Sequence, residues 1–154
     1  MVRRLIAAAV LSGVLVGLAV TPASAFTKKK ACKLIPEATV EEIFGAASTQ
    51  TIEDGQKGKF TTCTWMVPGA NGASVTVFIG IDKPNKLNKK DFKENSKAAT
   101  AEKVKGIKKG FIDGITVTFI QHNNFVNVQV LAATPEDTDT DALIELAKTL
   151  YKKL

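Results

Sequence analysis

The chain has 154 residues, of which 45% are hydrophobic and 23% are charged, and its formal net charge is +6. This length is enough for one domain with a short extension. The basic excess is too small for a nucleic-acid-binding domain, so we expect no nucleic-acid partner.

The first 25 residues have the three parts of a cleavable secretory signal. Arg3-Arg4 forms a short cationic start, residues 5–20 are apolar with one serine among them, and residues 23–25 read Ala-Ser-Ala, the pattern that signal peptidase cleaves. A membrane-spanning helix needs about 20 apolar residues, and this run is shorter. We therefore expect a secreted domain at residues 26–154, with a flexible lead-in at 26–31 and no integral membrane segment after cleavage.

The two cysteines, Cys32 and Cys63, both lie in the part that is expected to be exported. Residues 29–31 read Lys-Lys-Ala, which does not resemble a lipobox, so we expect no lipid anchor. In an oxidising compartment two cysteines of a small domain most simply pair, and neither has a histidine or a second cysteine nearby that would indicate a metal site. A Cys32–Cys63 disulfide is the expected state, and it would stabilise the fold by ~3–4 kcal/mol.

Hydrophobic periodicity predicts three helices and four strands in the remaining chain. In chain order these are a helix at 36–44, a polar loop at 49–58, strands at 60–67 and 74–81, a helix capped by Asn88, strands near 115–119 and 126–130, and a final helix at 143–154. The order α-β-β-α-β-β-α indicates an α+β domain, in which an antiparallel sheet of about four strands has its helices packed on one face.

Three motifs of this chain resemble those of a known family. They are Cys32-Lys33-Leu34-Ile35 before the first helix, Cys63-Thr64-Trp65 in the first strand, and the amphipathic helix at the C-terminus. Together they resemble an uncharacterised family of actinobacterial secreted proteins and lipoproteins. The resemblance implies an extracytoplasmic domain with one disulfide and brings no known activity. The chain departs from the family pattern at Pro36, where a threonine cap is usual, and in its lack of a lipobox.

No constellation of residues predicts catalysis, a metal site or a cofactor. His122 lies at a predicted hairpin bend, and no nucleophile or carboxylate is expected to converge on it. The acidic run from Asp137 lacks the spacing of an EF-hand loop, because Ala142 and Lys148 occupy the positions of its glycine and glutamate. We expect that residue 138 or 139 of this run caps the last helix instead.

Two surfaces are candidates for binding. The first is a cationic patch that would bind an anionic envelope polymer or lipid surface, unless it is simply a solvated helix. The patch consists of Lys83, Lys86, Lys89, Lys90, Lys93 and Lys97. The second is the sheet face away from the helices, which is either solvated or a surface for an unknown protein, with Met66, Phe78 and Ile120 as anchors and Thr64 and Thr118 beside them.

These patterns predict a non-enzymatic, exported binding domain that uses its sheet face. Three alternatives remain open. The domain is a cationic module associated with the cell wall or the membrane surface, an inhibitor of an extracellular enzyme, or an enzyme of a type that the sequence does not reveal.

Overall fold

The computed structural model describes residues 31–45, 49–53, 60–68, 74–132 and 138–154. The expected signal peptide, residues 26–30 of the expected lead-in and Asp137 of the acidic run lie outside these residues. The expected flexible lead-in at 26–31 is wrong at its last residue, because Ala31 is buried in the first helix. The elements are α1 Ala31–Leu34, α2 Glu37–Phe44, β1 Thr49–Glu53, β2 Phe60–Pro68, β3 Ser74–Asp82, α3 Lys86–Asn95, β4 Glu102–Lys103, β5 Gly110–Asp113, β6 Thr116–Gln121, β7 Asn124–Leu131 and α4 Thr140–Lys153. Among the described helices, none is long and apolar enough to cross a membrane.

Within the described residues, seven strands form one antiparallel sheet in the order β1-β2-β3-β7-β6-β5-β4. The α+β class is therefore confirmed. The predicted sheet of about four strands is wrong, and so is the predicted element order. The four predicted strands are the centre of the sheet, and β1 widens it at one edge while β5 and β4 widen it at the other.

The strands at both edges of the sheet were not predicted, and the reasons are physical. The sequence of β1 is Thr-Gln-Thr-Ile-Glu, which has one apolar residue and no alternation, so this segment was predicted to be a polar loop. In β5 the consecutive residues Phe111 and Ile112 are both buried, because the two faces of the sheet are both covered there. A strand that is buried on both faces does not alternate between apolar and polar residues.

One face of the sheet packs against α1, α2 and α4. The side chains predicted to face the helices are indeed buried: Cys63, Trp65, Val75, Val77, Val117, Phe119, Val126 and Val128. Helix α4 contributes Leu143, Leu146, Ala147 and Leu150, which recur at the spacing of one helical stripe and are all fully buried. This layer forms the hydrophobic core of the described part of the chain.

Helix α3 lies over the opposite face, so the prediction that the helices share one face is wrong. Phe92 of α3 packs against Phe111 of β5 with ring centroids 5.3 Å apart. Phe111 pairs with Thr118, and Thr118 pairs with Asn127, which places all three on the face that α1, α2 and α4 leave open. The apolar stripe of α3 is thin because Phe92 is its main contact, and the aromatic pair fixes which face it covers.

The disulfide between Cys32 and Cys63 is confirmed. It joins α1 to β2 with a Cα–Cα distance of 5.1 Å across a sequence separation of 31 residues. A hydrogen bond from the Ala31 backbone N–H to Thr61 Oγ1, 3.0 Å long, ties the same helix to the same strand. A helix of four residues is not stable alone, so these two links and the burial of Ala31 and Leu34 hold α1 in place.

The predicted caps are right for α4 and wrong for α3. The carboxylate of Asp139 accepts a 2.9 Å hydrogen bond from the Ala142 N–H at the start of α4. Helix α3 begins one turn earlier than predicted, because the side chain of Asn85 accepts a 2.9 Å hydrogen bond from the Asn88 N–H. Asn88 is thus the donor in the first turn of α3 and not its cap.

We expect that Asp139→Ala lowers the free energy of unfolding by about 1 kcal/mol, because it leaves the first N–H groups of α4 without this acceptor. Asp139→Asn is the matched control and should retain most of the stability, since asparagine caps helices about as well as aspartate. Urea unfolding followed by circular dichroism measures both. Equal stability of the alanine variant and the original chain would contradict a stabilising cap.

Candidate functional site

The open face of the sheet is the side away from α1, α2 and α4, and strand register arranges its side chains in rows. One row contains Met66, Thr76 and Leu131, on β2, β3 and β7. The next row along the strands runs across five strands and contains Thr64, Phe78, Gln129, Thr116 and Asp113. Helix α3 packs over the β5 end of this face through Phe92, so the side chains on β2 and β3 remain outside its contact with the sheet.

Three side chains of the open face form what we call the apolar patch: Met66, Phe78 and Leu131. Met66 is 49% exposed and Leu131 is 46% exposed, although both are large and apolar. The ring of Phe78 lies over Gly80 of its own strand, since a Cβ atom added at Gly80 would be 3.0 Å from Phe78 Cε1. The missing side chain of Gly80 therefore lets the ring lie along the sheet surface, on the side away from the row of Met66 and Leu131.

The structure brings together only part of the predicted partner surface. Met66 and Phe78 lie in adjacent rows, and Thr64 is the cross-strand neighbour of Phe78. Thr118 is buried and donates a 2.9 Å hydrogen bond to Asn127 Oδ1, so it is not available to a partner.

Ile120 lies far from the other predicted anchors. It pairs with Phe125, which precedes Leu131 by six residues on β7, a distance of roughly 20 Å along the strand. Leu131 is the member of the patch that sequence reasoning missed. The sequence could have predicted it, because Leu131 follows Asn127 and Gln129 at alternate positions and therefore lies on the open face with them.

A polar groove lies between α3 and the sheet, next to the apolar patch. Its volume is about 380 Å³, and α3 contributes Asp91 and Asn95 to it. The sheet contributes Asp113, Thr116 and Gln129, which share a row with Phe78, so the groove and the patch are continuous across the open face. The residues that line the groove include two carboxylates and no cation.

A third carboxylate of the open face belongs to Asp82 at the end of β3, which pairs with Phe60 on one side and Phe125 on the other. Burial raises the pKa of Asp82 above its ordinary value of 3.8. The cause is desolvation, which disfavours the charged form of the carboxyl group. The folded state therefore binds a proton at this position more tightly than the unfolded chain does.

Asp82→Asn is expected to stabilise the fold at neutral pH. A carboxyl with a raised pKa contributes its full stability below 3.8 and loses it as the pH rises through the folded-state pKa, whereas asparagine has no such loss. The difference in unfolding free energy between variant and original chain should thus grow from pH values below 3.8 to neutral pH. Urea unfolding at both pH values measures it, and a difference that does not change with pH would contradict the desolvation of Asp82.

Helix α3 is two-sided. The six lysines of the predicted cationic patch are all exposed. Lys86, Lys89, Lys90 and Lys93 recur at the spacing of one helix face, while Asp91, Phe92 and Asn95 lie on the other side towards the sheet. Within the described residues the patch contains one ion pair, Lys90–Glu94 at 3.8 Å. The outer face of α3 therefore presents a largely unpaired cationic stripe.

His122 has a structural position in the turn between β6 and β7. Both His122 and Asn123 have positive φ angles, 43° and 61°, which is the geometry of a tight hairpin turn. Its Nδ1 lies 3.0 Å from the backbone oxygen of Leu154, so the turn contacts the end of α4. Among the described residues, no group of three or more histidine, cysteine, aspartate or glutamate side chains is placed to hold a metal ion.

Comparison with known proteins found no relative of this chain. No protein-family model matches the chain, and no curated protein or solved structure matches it either. The open face, the polar groove and the outer side of α3 are therefore the features that bear on function.

Proposed function

We propose that this chain is an exported, non-enzymatic binding domain that holds a protein partner on the open face of its sheet. The observation that carries the proposal is the apolar patch, which lies outside the contact between α3 and the sheet: Met66 and Leu131 are exposed, and Phe78 is half-buried in the adjacent row. Exposed apolar side chains that are contiguous on a surface are typical of protein-interaction sites. The disulfide and the sequence features of a secretory signal support a location outside the cytoplasm.

The charge distribution of the open face indicates the chemistry of the partner. The polar groove continues the row of Phe78 and presents the carboxylates of Asp91 and Asp113, with no cation among its lining residues. A partner segment with apolar side chains for the patch and a lysine or arginine for the groove would be complementary to both. The apolar contacts would supply most of the affinity, because exposed ion pairs contribute little.

Removal of the patch tests the proposal. The mature protein, residues 26–154, would be used to capture partners from the native secretome and envelope, alongside the variant M66A/F78A/L131A. Ile120→Ala is the matched control, since Ile120 is an apolar residue at the far end of the same sheet, away from the patch. We expect that the triple variant loses the partner and that the control retains it.

Equal capture by the triple variant and the original chain would overturn the proposal. Trp65 is the sole tryptophan and is fully buried, so its fluorescence reports whether each variant is folded. If the captured partner is a hydrolase in a tight 1:1 complex whose activity falls on binding, the binding domain is an inhibitor of an extracellular enzyme.

The cationic stripe of α3 supports a second candidate, a module that associates with an anionic wall polymer or lipid surface. The observation that favours it is the alignment of four exposed lysines on one helix face. Binding of the mature protein to phosphatidylglycerol vesicles should then fall steeply with salt. Substitution of Lys86, Lys89, Lys90 and Lys93 with glutamine should abolish it, while M66A/F78A/L131A should leave it unchanged.

A further inference from the structure

A second cavity lies at the β4 edge of the sheet, separated from the polar groove by the Phe92–Phe111 ring pair. Its volume is about 550 Å³, within the range of small-molecule binding sites. The apolar lining comes from Phe92 of α3, Phe111 of β5, and Val104 and Ile107 in the segment between β4 and β5. Val104, Ile107 and Phe111 are each 5% exposed, so this wall is anchored in the packed part of the fold.

The same cavity is lined by three lysines and no carboxylate. Lys103, Lys105 and Lys109 contribute to its lining, and all three are exposed. In the described part of the chain, the lysine that forms an ion pair is Lys90, with Glu94 on α3. None of the three lysines of the cavity is paired with a carboxylate in that part of the chain. The cavity thus combines an apolar wall with a net positive charge.

The backbone at Lys109 adds an independent observation. Its φ angle is 57°, in the left-handed region that glycine tolerates better than any other residue. Two backbone hydrogen bonds hold the chain there: the Lys109 carbonyl accepts one from the Ile120 N–H, and the Gly110 carbonyl accepts one from the Val104 N–H. Backbone strain of this kind often accompanies a functional side chain. At position 109 the residue that adopts this strained conformation is a lysine, and it lines the cavity.

We propose that this cavity binds a single-chain amphiphile with a carboxylate head group, that is, a fatty acid. The alkyl chain would lie against Phe92, Ile107 and Phe111, and the head group would be bound by the ammonium groups of the lysines. A neutral apolar ligand would make no ion pair with the lysines, and a small hydrophilic anion would leave the apolar wall exposed to water. The site is separate from the apolar patch and from the cationic stripe of α3. Fatty-acid binding is therefore independent of the proposed function.

The test is a titration of the mature protein with monomeric decanoate, followed by calorimetry and by NMR shifts of residues 103–111. Decanol, which has the same alkyl chain and no charge, is the comparison ligand. We expect that decanoate binds and that decanol binds at least about fivefold more weakly, since the head group loses its ion pairs. The shifts should be confined to the cavity.

Two variants of equal net charge separate a specific site from general attraction. Lys109→Gly removes the cation and relieves the positive φ angle, so the variant should be at least as stable as the original chain and yet bind decanoate about fivefold more weakly. Lys108→Gln removes a neighbouring charge that does not line the cavity, and it should bind decanoate like the original chain.

Three results would overturn the proposal. They are the absence of decanoate binding, equal affinity for decanoate and decanol, and equal weakening by Lys109→Gly and Lys108→Gln. If the first result came together with binding to phosphatidylglycerol vesicles, the lysines would act on a lipid surface instead. The partner-capture experiment with M66A/F78A/L131A is unaffected by any of these outcomes.

Discussion

Replacing both Cys32 and Cys63 with alanine is expected to lower the free energy of unfolding by about 3–4 kcal/mol. The disulfide closes a loop with a sequence separation of 31 residues, and without it the unfolded chain gains the freedom that this closure removes. Helix α1 should be held less tightly, because its remaining ties are the burial of Ala31 and Leu34 in the core and the hydrogen bond from Ala31 to Thr61. Urea unfolding followed by the fluorescence of Trp65 measures the loss.

The control for the disulfide prediction is chemical reduction. A reductant should destabilise the original chain to the level of the double-alanine variant and should leave the variant unchanged. Alanine at both positions avoids a buried hydroxyl at position 63, where the residue is fully buried. A loss below about 1 kcal/mol would contradict a stabilising role for the bridge.

Phe119→Ala is expected to cost about 4 kcal/mol, the typical penalty for truncating a buried aromatic ring. Phe119 is fully buried on β6, and its ring meets that of Tyr151 on α4 edge-on, with centroids 5.6 Å apart. The substitution therefore removes both core volume and the aromatic contact that joins α4 to the sheet. Urea unfolding with Trp65 as the probe measures the change.

Variants at positions 151 and 120 test which contacts account for the loss of unfolding free energy in Phe119→Ala. Tyr151→Phe keeps the ring contact and should be close to neutral, whereas Tyr151→Ala should be coupled to Phe119→Ala by about 0.5–1.5 kcal/mol in a double-mutant cycle. Ile120→Ala, on the other face of the same strand, should cost less because Ile120 is half-buried. Equal costs at positions 119 and 120 would contradict the packing of α4 on the face that contains Phe119.

Much of the central fold was predictable because its core-facing apolar residues recur at every second position. Strands β2, β3, β6 and β7 each place one face in the core, and most positions of their other face are polar, with exceptions such as Met66, Phe78 and Leu131. This pattern reveals both the strands and their orientation. The disulfide was predictable from the expected compartment and the cysteine count. The position of Leu131 on the open face was implicit in the same alternation.

The edges of the sheet and the location of α3 depend on tertiary contacts that leave a weak local pattern. Phe111 and Ile112 are adjacent apolar residues because α3 covers one and the core covers the other. The side of the sheet on which α3 lies is fixed by the pairing of Phe92 with Phe111, two residues that are distant in sequence. The cavity with Lys109 is a consequence of the same contact, and its three lysines lie outside the six that form the predicted cationic patch.

The disulfide also determines how the domain would respond to force. A pull applied through residue 32 passes directly into β2 at Cys63, so the chain between the two cysteines, including α2 and β1, bears no load. Full extension of the oxidised domain should therefore be shorter than that of the reduced domain by roughly 100 Å, the length of about 30 extended residues. If the domain is tethered at its N-terminal side, tension would be borne by the central strands and the C-terminal helix.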